Sequence, residues 1–318
     1  MQFIRRKFLR FIIVVLAVTM ITFLMVNVLP GDVSYVISGP DATLDDIEAV
    51  RKDLGLDRNI FIRYFIWLGN VFQANLGVSY QTGEPVYNAI VARLPVTLEL
   101  LFFSQCIALL FALPAGIFCA YKQDSTLDRF VSGVGFATLS VPSFVMALFG
   151  IYLFSIHLRW LPASGYTPFF DNPWANLKSF VLPALSIALI EWVVLMRVLR
   201  SDLITTLQQN YILMARAKGL SPWKILLFHA LRPSSLTLVT ILGLQVGRCI
   251  GEAVIVETVF ALPGIGRLLL NAIYGRDFLM VQGCILLLTI GYVSINSIVD
   301  ILYLFLDPRI RPEGSYGE

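Results

Sequence analysis

Six stretches of this chain are long and apolar enough to cross a bilayer, roughly residues 9–29, 96–120, 131–156, 179–198, 234–256 and 281–306. A crossing helix needs about 20 mainly apolar residues. Inside hydrocarbon every backbone N–H and C=O must find a partner within the protein, so such a chain is held to a helical bundle. The expected fold class is all-α: a polytopic membrane protein with six transmembrane helices and a small extracytoplasmic domain after the first. Charged residues make up only 14% of the chain and apolar ones 57%, where a soluble domain has about 25% charged. Pro114, Pro142, Pro183, Gly243, Gly247 and Gly251 fall inside spans, where membrane helices tolerate them better than soluble ones do. The 131–156 stretch is therefore expected to run as one span in spite of Pro142.

Basic residues orient the bundle. With the N-terminus inside, 14 of the 24 Lys and Arg fall in or beside the short segments 1–8, 121–130, 199–233 and 307–318. Nine fall on the other side, five of them in the long 30–95 segment, where charge counts little. The N-terminal segment and first helix (1–29) carry Arg5, Arg6, Lys7 and Arg10 before the apolar run, without a small-x-small cleavage site, and read as an uncleaved span. Residues 30–95 form the extracytoplasmic domain, in which Thr43 and Asp46 predict a helix start near 44 and Gly55 its stop. The transmembrane core of five helices spans 96–306 and includes the 199–233 cytoplasmic loop; 307–318 is a cytoplasmic tail. Cys106, Cys119, Cys249 and Cys284 all lie in spans without a Cys-x-x-Cys pair and read as small packing residues.

The loop between the fourth and fifth spans is unlike a simple connector. In Tyr211–Pro233 four basic residues surround a break. Gly219 is placed to end one helix in a left-handed conformation, Ser221 to cap the next and Pro222 to open it. Trp223, Leu226, Leu227, Ala230 and Leu231 then recur at helical spacing, with Lys224 and Arg232 off that stripe. Such a helix–Gly–helix is a lever lying on the membrane surface, which a cytosolic partner could push.

The same stretch, Ala215-Arg216-Ala217-Lys218-Gly219-Leu220-Ser221 followed by His229-Ala230-Leu231-Arg232, resembles the coupling-loop motif of the oligopeptide/dipeptide/nickel permeases, integral subunits of ATP-binding-cassette (ABC) importers. The resemblance extends along the chain: Leu29-Pro30-Gly31-Asp32, Leu54-Gly55-Leu56-Asp57, Asn75-Leu76-Gly77-x-Ser79, Leu94-Pro95-x-Thr97-Leu98-Glu99-Leu100, Glu257-Thr258-Val259-Phe260-Ala261-Leu262-Pro263-Gly264-Ile265-Gly266-Arg267-Leu268, Arg276-Asp277-Phe278, and Asp307-Pro308-Arg309-Ile310-Arg311. Departures are Val33, Asn75, Leu213 and Leu279, and Pro233 comes early. The resemblance implies the type I importer permease fold in a bacterial inner membrane, with a second homologous permease subunit, two cytoplasmic ATPase subunits and an extracytoplasmic substrate-binding protein as partners. It further implies that the 211–232 loop docks on an ATPase through Tyr211, Ala215, Ala217, Lys218, Gly219, Leu220, Ser221 and Lys224. No cofactor is expected on this chain; ATP and Mg would be held by the ATPase subunits. The expected cargo is a di- or oligopeptide, with nickel, a metal chelate or a glutathione-like peptide as alternatives. Pro263, Gly264 and Gly266 predict a tight re-entrant or surface turn on the outer face.

Glu191, Arg248, Glu252 and Asp300 are ionisable residues inside spans, where a charge is penalised and must face protein or water. Arg248 and Glu252, four apart, share a helix face. Glu191, Arg248 and Glu252 are read either as a polar lining of the translocation pathway or as a structural ion cluster; Asp300 is read as structural. No metal site and no catalytic residues are expected: His157 and His229 lie on opposite sides, no nucleophile has a base beside it, and no phosphate-binding Gly-rich loop with a Lys is present. A proton-driven secondary transporter using Glu191, Glu252 or Asp300 is the remote alternative, and it leaves the 211–232 loop unexplained.

Overall fold

A computed structural model of the chain describes residues 2–28, 34, 38, 42–53, 55 and 57–306, with side chains left undescribed at 2–8, 26–28, 46, 50, 53 and 300–306. The motifs at 29–32 and 307–311, the tail 307–318 and the Asp300 side chain lie outside what is described. Helices α1 (Gln2–Val28), α2 (Leu44–Asp53), α3 (Ile60–Phe72) and α4 (Val86–Tyr121) come first. They are followed by α5 (Thr126–Leu139), α6 (Ser143–Gly150), α7 (Pro173–Leu207) and α8 (Asn210–Ala217). A short α9 (Pro222–Lys224) leads to α10 (Leu231–Val259), α11 (Ile265–Tyr274) and α12 (Phe278–Leu306). Among the described residues no strand forms; Val78 and Pro85 make one isolated antiparallel bridge.

Four helices are long and apolar enough to span a membrane: Val86–Tyr121, Pro173–Leu207, Pro222–Val259 and Phe278–Val299. The bent pair Thr126–Leu139 and Ser143–His157 makes a fifth if counted as one span. The sixth would be α1, whose apolar stretch Leu9–Met25 is shorter. At 1.5 Å per residue that stretch reaches about 26 Å, close to a hydrocarbon core of about 30 Å.

The continuous 131–156 span expected from the sequence is corrected: its two halves meet at 99°. Pro142 sits in an extended conformation (φ −60°, ψ 149°) as the residue before α6. Having no N–H, proline cannot continue the ladder, and it pushes the preceding residue out of the helical region. The tight turn expected from Pro263, Gly264 and Gly266 is found: residues 260–264 join α10 to α11, with Gly266 just inside the helix. The start of α11 is fixed by the Ile265 amide donating to Thr97 Oγ1 at 2.9 Å. The predicted 44–54 helix is confirmed to within a residue, and Gly55 follows it with its amide donating to the Lys52 carbonyl at 2.9 Å.

The chain packs as two compact units. One takes in 1–97 and 263–293. There Tyr64 and Trp67 of α3 bury their rings against Phe23 of α1 at 5.5 and 6.0 Å, and the Tyr64 hydroxyl pairs with Thr19 Oγ1 at 3.0 Å. Val86, Ile90, Ile265, Met280 and Cys284 form a second core in the same unit.

The other unit takes in 98–262 and, among the described residues, 294–306. Its centre is α7: Ala188, Val193, Leu195, Met196, Leu199 and Leu203 are fully buried and pack with Ala108, Ala112, Ile212, Leu226 and Ala230. Helix α7 also carries Arg200, which forms two hydrogen bonds to the buried Asp128 carboxylate of α5, at 2.8 and 2.6 Å. Gly243 of α10 lies against Val299; any Cβ placed there would stand well inside van der Waals contact with that side chain.

Candidate functional site

The 210–232 segment folds as the sequence predicts at its bend. Helix α8 ends at Ala217 and Gly219 adopts φ +75°. The Gly219 amide donates to the Arg216 carbonyl at 2.9 Å and the Leu220 amide to the Ala215 carbonyl at 3.3 Å. Those two bonds around a left-handed residue are the Schellman arrangement, which satisfies carbonyls a helix end otherwise leaves free. No atom lies within 4 Å of a Cβ built on Gly219. The requirement for glycine is therefore conformational, not steric.

After the bend the sequence reading needs correcting. Ser221 holds the extended backbone of a capping residue, but its hydroxyl makes no cap bond. Pro222 is the first helical residue as expected, and only one α-helical turn follows. Residues Ile225–Ala230 form a π-helix, which holds more residues per turn and shifts the phase of every side chain after it. The face turned inward is accordingly Ile225, Leu226 and Ala230, all buried, while Leu227 is exposed. Trp223 is half exposed, yet it stacks on Tyr121 at 5.3 Å and meets Phe118 edge-on at 5.9 Å. Those two residues end α4, a contact no sequence pattern announced.

Ile212 pins α8 to the core, with none of its surface exposed. Ala217, Lys218, Gly219, Ser221 and Lys224 are exposed, and Ala215 and Leu220 are half-buried. Tyr211 is exposed as well, its hydroxyl 3.5 Å from the His229 carbonyl. All eight residues nominated from the sequence thus lie in one continuous segment. Beside it opens a cavity of about 800 Å³ lined by Tyr121, Lys122, Gln123, Arg216, Leu220 and Leu226 among others.

The in-span ionisable residues also converge. Arg248 Nη2 donates to Glu191 Oε1 at 2.8 Å, and Arg248 Nε lies 4.0 Å from Glu252 Oε1. Glu191 is fully buried, the Glu252 side chain is 22% exposed and the Arg248 side chain 54%. The guanidinium of Arg248 thus reaches in to the carboxylates, while about half of its side chain remains exposed. The sequence missed the amides that complete the cluster. Gln245 Nε2 donates to the Glu191 carbonyl at 3.2 Å, and Gln105 Nε2 to Cys249 Sγ at 3.1 Å. Their signal was available, since an amide in an apolar span needs a partner there. Cys249, read as simple packing, belongs to this polar cluster.

A third constellation lies in the other unit. The buried Ser79 hydroxyl donates to the buried Asp277 carboxylate through Oδ2. Gln81 Nε2 donates to the Gly275 carbonyl at 2.7 Å, and the Met280 amide donates to Asp277 Oδ1 at 3.3 Å. Burial, with the Asp277 charge adding to it, pushes the neighbouring Tyr80 phenol above its ordinary value. These bonds latch the 75–85 segment to the turn before α12.

Apolar spans packed around the central, largely buried stretch of α7, interrupted by an exposed helix–Gly–helix segment, fit the membrane-embedded permease subunit of a transporter. The chain belongs to the family described as binding-protein-dependent transport system inner membrane component, whose model matches residues 112–312; the N-terminal model of the same component matches 1–101. A chain of Brucella abortus (strain 2308), named by inference a peptide transport system permease protein, is 41% identical over 298 residues, covering 94% of this chain and 95% of that one. The glutathione transport system permease protein GsiC of Escherichia coli O6:H1 is 34% identical over 311 residues, covering 98% and 99%. Among solved structures, a chain of the MetNI methionine ABC transporter in an inward-facing conformation superposes with a TM-score of 0.58 at 17% identity, over 68% of this chain and 95% of that one. That last likeness concerns the fold.

Proposed function

We propose that this chain is one of two permease subunits in an ATP-driven importer of di- or oligopeptides, and that the 211–232 segment transmits the work of a cytoplasmic ATPase to the bundle. The observation that carries the reading is the exposed Schellman bend at Gly219, built between α7 and α10 and pinned to the core by Ile212. An exposed helix pair with a fixed bend, held to the bundle from both sides, suits docking by another protein. Tyr211, Ala215, Ala217, Lys218, Gly219, Leu220, Ser221 and Lys224 form that docking face. In this reading the N-terminus, the 199–233 loop and the tail 307–318 are cytoplasmic, and 30–95 with 257–280 face the binding protein. The core 96–306 is half of a heterodimeric pathway, with Glu191, Arg248 and Glu252 lining it. ATP and Mg belong to the ATPase subunits.

Peptide cargo rests on the named relatives, and glutathione, itself a peptide, is compatible with the same lining. The test is purification of the chain with its partner subunits, reconstitution in proteoliposomes and measurement of ATP-dependent uptake of a labelled dipeptide presented by the binding protein. ATP-dependent uptake that requires the binding protein supports the proposal. Failure of any ATPase to co-purify, or uptake driven by a proton gradient without ATP, overturns it.

A further inference from the structure

Helix α3 (Ile60–Phe72) has an apolar face that its own unit leaves open. Tyr64 and Trp67 are buried against α1, with Leu68 and Val71 packed beside them. Arg63, over the Phe23 ring at 6.0 Å, and the exposed Asn70 lie two turns apart and make a narrow polar strip. The remaining side carries Phe61, Ile62, Phe65, Ile66 and Phe72, between 44% and 82% exposed. Their three- and four-residue spacing, through Gly69, puts them on one stripe. A contiguous apolar patch of this kind marks a surface that meets lipid or protein. The neighbouring α2, with the sequence LDDIEAVRKD, is mostly charged and has no such stripe.

Depth decides between those two. The Tyr64 hydroxyl pairs with Thr19 Oγ1 at 3.0 Å and donates to the Leu16 carbonyl at 3.3 Å. Leu16, Thr19 and Phe23 all fall inside the apolar stretch Leu9–Met25 of α1. Thr19 comes six residues before Met25, so it lies about 9 Å inside the end of that stretch, and Phe23 about 3 Å inside. A helix packed at that height stands beside α1 at the boundary of hydrocarbon and headgroups, not above it in water. The exposed Ile21 and Met25 carry the lipid-facing surface of α1 up to the same level, and the α3 stripe continues it.

The ends of α3 fix its direction. At thirteen residues it is about 20 Å long, too short to cross a hydrocarbon core of about 30 Å. Asp57, Arg58 and Asn59 precede it and Gln73 and Asn75 follow it, all exposed. Neither polar end belongs among acyl chains, so the helix lies flat. Interfacial helices bury their apolar face about 5–10 Å into the headgroup–acyl boundary, the depth that the Tyr64–Thr19 contact sets.

We propose that α3 is an interfacial helix whose Phe61, Ile62, Phe65, Ile66 and Phe72 face takes the acyl chains of the outer leaflet. The 30–95 segment is then tethered to the bilayer at its middle instead of standing free as an extracytoplasmic domain. Leu76 and Leu279 pack against the same α1–α3 core, so the tether also holds the base of the 75–85 segment that is latched to Asp277. The embedding rests on α1 being a span; the choice of leaflet rests on the orientation proposed above.

The test uses the assembled permease–ATPase complex in nanodiscs, in a Cys106→Ala background because Cys106 is the exposed cysteine. A nitroxide is attached in turn at Phe61→Cys, Phe65→Cys and Asn70→Cys. Electron paramagnetic resonance then compares its collisions with oxygen, which concentrates among acyl chains, and with a water-soluble nickel chelate. Oxygen is expected to dominate at 61 and 65, and the chelate at 70. Dominance of the chelate at 61 and 65 puts the face in water and overturns the proposal. Suppression of both collisions there, by the second permease or on addition of the binding protein, makes the face a protein interface and also overturns it. A second measurement needs no substitution. A lipid-soluble aryl diazirine photolysed in the wild-type complex should label the 60–72 peptide as well as the 9–25 peptide and spare 44–53; label absent from 60–72 overturns the proposal. The orientation fails separately: oxygen dominance at 61 and 65, with Asn271→Cys reacting only from the cytosolic side, keeps the embedding and moves it to the inner leaflet.

Discussion

Replacing Gly219 separates backbone conformation from every other contribution, because nothing lies near the position a Cβ would take. The native φ is +75°. A residue with a Cβ pays about 1–2 kcal/mol to stay there, asparagine less, and a β-branched residue more. Against this stand the two backbone bonds that close the bend, at 2.9 and 3.3 Å, each contributing about 1 kcal/mol net. Alanine therefore sits near balance and keeps the bend most of the time, whereas valine tips it open. The order expected is Gly219→Asn mildest, Gly219→Ala intermediate and Gly219→Val worst. Insertion and assembly should survive in all three, since Ile212, Ile225 and Leu226 hold the segment to the core from either side. The assay is the number of peptides taken up per ATP hydrolysed in proteoliposomes; it should fall along the series, with ATP hydrolysis losing its dependence on cargo-loaded binding protein in Gly219→Val. The reasoning is refuted if valine couples as well as glycine, or if asparagine and valine do equal damage, which would make side-chain bulk and not φ the cause.

Other consequences can be checked directly. Asn271 is exposed on α11, so Asn271→Cys should react with an impermeant maleimide added outside cells; reaction from the cytosolic side alone would reverse the orientation. Ser79 is unsuitable for that experiment because it is 3% exposed. Instead, Ser79→Ala and Asp277→Ala should each destabilise their unit by about 1–3 kcal/mol, and the double variant by less than the sum, read from protease resistance of the purified complex. Gly243→Ala should lower the melting temperature of the complex, and Val299→Ala should restore much of the loss by making room; no rescue would show that the two do not share that space.

Much of this architecture was legible from residue types. The apolar runs located every helix that can span a membrane, since length and hydropathy are what the bilayer selects. The Gly219 bend was legible because left-handed backbone and glycine go together, and the Arg248–Glu252 pair because positions four apart on a helix must meet. What escaped depended on geometry that residue identity alone does not encode. The 99° break at Pro142 looks in sequence like the tolerated Pro183, which continues inside α7; whether a proline bends or breaks a helix depends on what packs around it. The π-helix at 225–230 moved Leu227 outward because a stripe counted at 3.6 residues per turn loses phase there. The bonds from Gln105 to Cys249 and from Ser79 to Asp277 join residues 144 and 198 positions apart, beyond the reach of any local pattern.

Both helices that carry the polar cluster are continuations of the exposed segment. From Glu191 to Leu207, where α7 gives way to α8, the chain contains neither proline nor glycine, so about 24 Å of uninterrupted helix joins the two places. On the other side α10 starts directly after the π-helix, with Pro233, Gly243 and Gly247 below Arg248. The second arm, also continuous in the structure, carries the residues that make a helix easier to bend. In the proposed importer, a push at the bend would therefore reach Glu191 and Arg248 through arms of unequal stiffness. Thermodynamic reciprocity then fixes the converse: whatever factor by which an engaged ATPase changes the hold of this cluster on cargo, cargo must change the hold of the permease on the ATPase by the same factor.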